Sequence, residues 1–336
     1  MRQVLCNLPI MRIEIWADVV CPWAYIGKRR LERALASWED DPVEVVWRPY
    51  RIDPSAPTPG EPLAEVLRDP MVDAALRGCA PHLTPGENRE RVSRIALAEG
   101  LGPRWGAGWR ASSHDAHRLI ALAHEAGVPH LQDAVAEEVM RAHFVDALDI
   151  SLPAVLDEVS RRAGFPTGSG LLADGGGDTI VRELVLRGRA AGVATSPTFV
   201  VNGAALRGAQ PPEVIHAFLA EAAGRNPRHV PEEVERLRHA EALLDLGDPL
   251  GALTLLRPLL DIHGDDRGTR LLAARAYFHS AQLNRALRIL EPLAAQAPDD
   301  SYVQLLLGRT LQRQGEAGRA AVHLHLAAAM SPGYTG

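Results

Sequence analysis

The sequence predicts an α/β domain interrupted by a large all-helical insertion and followed by an α-helical repeat array. Three observations predict it. First, a β-α-β pattern at the start and a β-β-α pattern near residue 200 are separated by a long stretch of helical periodicity. Second, small and apolar residues recur 34 apart in the last hundred residues. Third, 46% hydrophobic and 23% charged residues over 336 positions are ordinary for a globular chain long enough for two domains.

The elements follow in order. Arg12–Ala17 (RIEIWA) alternates and is β-favourable, so it reads as a strand. Pro22 suits a first helical position, where the missing N–H had no partner, and a helical pattern runs on from it. Val43–Ile52 is a second strand between Pro42 and Pro54, which completes a β-α-β unit over residues 11–53. From Pro54 to Ala194 only helices are expected, at Leu63–Arg77, Glu87–Glu99, Ser113–Ala126, Leu131–His143, Leu152–Arg162 and Asp178–Ala191. Gly and Pro clusters separate them. Thr198–Asn202, the Asn202–Gly203 turn and Ala204–Arg207 read as a hairpin, and a helix follows over Pro211–Ala223. The expected organisation is an arm over 1–10, a domain over 11–224 with its insert at about 55–192, and repeats over 233–336. Met11 is an alternative start to Met1.

The repeat is visible by counting. Ala240, Ala274 and Gly308 are 34 apart; so are Ala252, Ala286 and Ala320, and Leu256, Leu290 and Leu324. Small residues at a 34-residue period are what two touching helices require. These columns resemble tetratricopeptide repeats starting near Glu233, Arg267 and Ser301, with Gly264 where the first repeat would end on Pro.

Composition excludes several classes. No apolar stretch approaches the ~18 residues of a spanning helix, so no membrane role is expected. The net charge of -6 speaks against a nucleic-acid binder. Lys28 is the one lysine, so the many arginines reflect compositional bias rather than a phosphate-binding face. Cys6, Cys21 and Cys79 cannot form a disulfide framework, and no secretory leader is evident. The expectation is a cytoplasmic protein with free thiols.

Cys21 follows a strand and opens a helix. Backbone N–H groups and the helix dipole there favour a thiolate, so Cys21 is expected to be a nucleophile at neutral pH; a buried structural cysteine is the plainer alternative. Lys28, Arg29 and Arg30 add positive charge on what reads as the solvated side of that helix.

The segment Asp18–Glu32 (DVVCPWAYIGKRRLE) closely resembles the active-site segment of the DsbA-like thioredoxin-fold family, in its FrnE branch, whose members carry C-P-W-C. Three further segments are similar to that family in the expected order: Val45–Pro54, Ser112–Arg118, and Ser196–Val200 with Gly208–Gln210. The resemblance spans about residues 11–223 and implies a thioredoxin fold with a helical insertion. It implies Cys21 as the catalytic residue. It implies substrate contacts from Pro22, Trp23, Ala24, His117, Arg118, Ser196 and Pro197. It also implies a cis bond before Pro197, exposing the backbone of Ser196 beside Cys21; an ordinary trans proline opening a strand is the alternative.

The departure at Ala24 decides the chemistry. In a C-x-x-C pair the second thiol resolves the mixed disulfide, and Ala24 has none. A lone thiol leaves three expectations. One is a monothiol oxidoreductase with a low-molecular-weight thiol as co-substrate and no bound cofactor. Another is a cis–trans isomerase acting by reversible addition to an unsaturated small molecule. The third is a non-catalytic adaptor that binds a protein or peptide through the repeats, which are equally suited to homodimerisation. Cys79 would substitute for Ala24 only if the fold placed it at Cys21.

The remaining features carry less. His114 and His117 share a helix face, but with no third ligand evident no metal is expected. Trp105 and Trp109 either cap an apolar cleft or pack in the core. Gly175–Gly177 lacks the spacing of a phosphate loop and reads as a flexible connection.

Overall fold

A computed structural model describes residues 11–39, 42–69, 71–72, 82–225 and 230–334. Two compact units emerge, Met1–Gly188 with Val193–Arg228, and Arg189–Gly192 with His229–Gly336.

In the first unit β1 (Met11–Ala17) is one of the two inner strands of a four-stranded sheet. It pairs in parallel with β2 (Val43–Pro49), setting Ile13 against Val45 and Ala17 against Pro49. On its other side it runs antiparallel to β5 (Thr198–Val201), which turns through Asn202–Gly203 into β6 (Ala204–Arg207). The parallel step is bridged by α1 (Pro22–Ala36), as such a crossover requires. Ile13 and Ile15 are fully buried from one face. Trp16 is buried from the other, where a Cβ on Gly188 of α8 (Asp178–Ala190) would lie 2.4 Å from its ring.

The insert comprises α2 (Leu63–Val66), α3 (Pro85–Ala98), α4 (His114–Glu125), α5 (Leu131–Phe144), α6 (Pro153–Arg162), α7 (Gly168–Ala173) and α8. Thr84 and Glu87 form a reciprocal capping box that starts α3. Two features depart from the expected elements of the insert. A two-residue ladder, β3 (Glu61–Pro62) with β4 (Trp109–Arg110), ties the insert's entry to the start of α4. The helix α7 falls where none was expected. The expected helix Leu63–Arg77 forms over Leu63–Val66 and turns at Leu67–Arg68; Met71 and Val72 are helical again, and residues 70 and 73–81 lie outside the described residues. Edge strand β2 is closed by α5: the Trp47 N–H donates to Gln132 Oε1 at 3.0 Å and Gln132 Nε2 donates to the Trp47 carbonyl at 2.9 Å. The unit ends with α9 (Pro212–Ala223), packed on α1.

The second unit is three helix pairs: α10 (Glu232–Asp245) with α11 (Pro249–Ile262), α12 (Arg267–His279) with α13 (Leu283–Gln296), and α14 (Ser301–Arg313) with α15 (Ala317–Met330). Asp266 and Asp300, 34 apart, cap α12 and α14 by accepting from backbone N–H groups. Ala240, Ala274, Ala252 and Ala286 are fully buried at helix contacts. At the third copy of the first column a Cβ on Gly308 would lie 2.8 Å from Leu324 Cγ, which explains glycine there. Among the described residues no helix is long and apolar enough to cross a membrane.

Candidate active site

Cys21 is the N-cap of α1, with extended backbone, and Pro22 follows at the first helical position. Ala24 lies one turn on and is fully buried. The Ser196–Pro197 peptide is cis. It brings the Ser196 carbonyl to Cys21, whose Sγ donates to it at 3.4 Å. A Cβ on Gly27 would lie 3.0 Å from Pro197 Cγ, so glycine at that turn of α1 admits the proline. Trp23 is partly buried beneath the Arg91 guanidinium, 5.8 Å from its ring centre. Thus Cys21, Pro22, Trp23, Ala24, Ser196 and Pro197 form one cluster across 175 residues of chain.

The thiol corrects the expectation of a resting thiolate. Cys21 is only 6% exposed. Burial pushes its pKa above the ordinary value, and the nearby Asp18 carboxylate adds to this; hydrogen bonding from Ser196 and the α1 backbone opposes it without prevailing. The helix terminus is present, but desolvation of the anion outweighs it. The resting Cys21 is a neutral thiol.

Asp18 organises the other side of the cluster and had no sequence signal beyond its place in the motif. It is fully buried. Its Oδ2 accepts from the Ile52 N–H at 2.7 Å, and its own N–H donates to Ser196 Oγ at 2.9 Å. Its Oδ1 lies 3.3 Å from His117 Nε2, which is also 3.1 Å from the Tyr50 carbonyl. Both neighbours are acceptors, so Nε2 carries the imidazole hydrogen. A buried chain of contacts therefore runs from His117 through Asp18 and Ser196 to Cys21.

Other expected residues go elsewhere. Arg118 turns away from the thiol: its Nε donates to the Gly176 carbonyl and Nη2 to the Leu172 carbonyl, with Asp115 on Nη1. It anchors the end of α7 and the turn that follows. Gly175–Gly177 is correspondingly a tight connection rather than a slack one, with positive φ at Gly175 and Gly177. His114 Nε2 meets Asp178 Oδ1 at 2.9 Å, so the two histidines serve different carboxylates. Trp105 stacks on Phe144 at 4.7 Å, and Trp109 Nε1 donates to the Ala147 carbonyl, so both pack within the insert. Lys28 is buried rather than solvated, its Nζ 3.0 Å from Asp133 and 3.2 Å from Glu137, with Glu32 also paired to it. Burial alone would lower its pKa, but these carboxylates raise it. Cys6 and Cys79 lie outside the described residues.

Comparison with known proteins agrees with this geometry. Residues 12–220 match the family model of the DSBA-like thioredoxin domain. The chain belongs to the DsbA-like thioredoxin family. Residues 243–310 match the model of a tetratricopeptide repeat, so this DsbA-like chain also carries a repeat array. A probable DsbA oxidoreductase from Streptomyces coelicolor is 29% identical with a TM-score of 0.54, covering 66% of this chain and 94% of that one. A 2-hydroxychromene-2-carboxylate isomerase is 15% identical with a TM-score of 0.44, covering 63% of this chain and 94% of that one. A cytosolic disulfide reductase from Pseudomonas aeruginosa is 19% identical with a TM-score of 0.37, covering 62% of this chain and 97% of that one. No curated protein matches the chain.

Proposed function

We propose that this chain is a monothiol oxidoreductase whose sole nucleophile is Cys21. The observation that carries the reading is the contact between Cys21 Sγ and the Ser196 carbonyl beside cis-Pro197, with Ala24 at the resolving position. A disulfide-bearing substrate laid along Ser196 brings a sulfur to Cys21. The thiol gives its proton to water, and the thiolate attacks that sulfur. A Cys21–substrate disulfide forms, and the other substrate sulfur leaves as thiolate and takes up a proton. An external thiolate then attacks the substrate sulfur of the mixed disulfide, releasing Cys21 as thiolate. Two exchanges conserve electrons and need no second cysteine. Because the resting thiol is neutral, turnover rises steeply with pH.

The test is exchange between glutathione and 2-hydroxyethyl disulfide. Turnover is expected in the native chain and in Cys6→Ser and Cys79→Ser variants, and lost in Cys21→Ser. Undiminished turnover in Cys21→Ser would overturn the reading. One observation favours a second reading: Ala24 removes what a dithiol cycle needs and leaves what conjugate addition needs. Addition of Cys21 to an electron-poor double bond makes it single, permits rotation, and ends with expulsion of the thiolate. Turnover of an unsaturated substrate without any thiol co-substrate would select that isomerase reading. A chain competent in neither assay would point to an adaptor that uses the repeats to hold a protein or peptide.

A further inference from the structure

A cavity of ≈ 220 Å³ is lined by His117 but not by the thiol. Neither Cys21, Ser196 nor Pro197 lines it. Its apolar walls are Val19 from the β1 exit, Trp47 of β2, Ile120 and Ala121 of α4, and Ile180 and Leu184 of α8. The volume exceeds the ~150 Å³ of an apolar cavity that accepts benzene, so one substituted ring fits.

Of the polar residues facing it, His124 is half-buried and Glu125 and Thr179 are exposed, and most of the others are committed. Gln132 spends both ends of its amide on Trp47 backbone. Arg48 is paired with Glu14, and Arg187 with Glu183. Trp47 Nε1 donates to Asp133 at 2.9 Å, which leaves its ring as the surface toward the cavity. His117 differs. Its side chain is 3% exposed, and its Nε2–H is held by Asp18 and the Tyr50 carbonyl. In the neutral ring Nδ1 is then a lone-pair acceptor, and the described residues give it no donor. Apolar walls with a buried, well-oriented acceptor among a few polar groups are the composition of a small-molecule site.

We propose that this cavity binds a small aromatic molecule carrying a hydroxyl group, its ring against Trp47 and Ile120 and its hydroxyl donating to His117 Nδ1. The inference is independent of the thiol reading. It identifies a ligand site rather than a reacting centre.

Calorimetric titration of the full chain with p-cresol, and with toluene as the counterpart lacking the donor, tests it. Saturable one-to-one binding of p-cresol is expected, with toluene weaker by about tenfold, the value of one hydrogen bond. Ala121→Leu, which fills the cavity one turn along the helix from His117, should abolish binding of both. His117→Phe should remove the preference for p-cresol over toluene. Cys21→Ser should leave p-cresol binding unchanged, so failure here is distinct from failure of the thiol chemistry. The proposal is overturned if p-cresol shows no saturable binding, if Ala121→Leu binds it as well as the native chain, or if toluene binds equally.

Discussion

His143 makes the first unit sensitive to acid. Its ring is 2% exposed on α5, edge-on to Phe144, and its Nδ1 has no hydrogen-bond partner. Burial holds its pKa down at about 4, against an ordinary 6.5, despite the opposing influence of Asp18 and Asp149. The native state therefore keeps this histidine neutral while the unfolded chain takes up a proton. Stability from this group is complete above about pH 6.5 and is lost as pH falls toward 4. Between about pH 7.5 and 5, one histidine shifted in this way removes about 2 kcal/mol. All six tryptophans precede residue 110, so tryptophan fluorescence during urea unfolding reports the first unit alone. His143→Leu should abolish that part of the pH dependence: the native chain should lose about 2 kcal/mol more than the variant over this interval. Equal losses in the two proteins would refute the assignment.

Three further outcomes follow from named contacts. Lys28→Met leaves Asp133, Glu137 and Glu32 without their shared ammonium, and should destabilise the same fluorescence transition. The loss should be about 1–2 kcal/mol, less than for a fully dry pair because those carboxylates are partly exposed. Gly308→Leu drives a side chain into Leu324 and should melt the third repeat, seen as lost helical circular dichroism with the tryptophan transition unmoved. Ala24→Cys restores a second thiol on the face of Cys21 and should confer insulin-reducing activity; an inactive variant would show that the redox framework is not intact.

Much of the fold was legible because its signals are local. Alternation marked β1, proline opened α1, and the Asn202–Gly203 turn marked the β5–β6 hairpin. The 34-residue step was readable because small side chains are forced at each helix contact, with Gly308 the extreme case. Two-residue β3 and β4 and six-residue α7 are too short to carry a period. The clustering of Cys21 with Ser196 and Pro197 came from motif resemblance. Its electrostatics did not, because thiol burial depends on residues brought from 175 positions away. Lys28 was misread for the same reason: two of the three carboxylates that neutralise it, Asp133 and Glu137, are on α5, over a hundred residues distant. Arg118 looked like a substrate contact because nothing near it in sequence reveals the Leu172 and Gly176 carbonyls it holds.

The reading rests on Cys21 capturing a sulfur partner that nothing in its own chain releases. Incubating the protein with oxidised glutathione and mapping the product by mass spectrometry tests this directly. The account predicts one glutathione joined to Cys21, persisting until an external thiol is added, and forming faster as pH rises. An unmodified Cys21, or an internal disulfide joining it to Cys6 or Cys79, would contradict it.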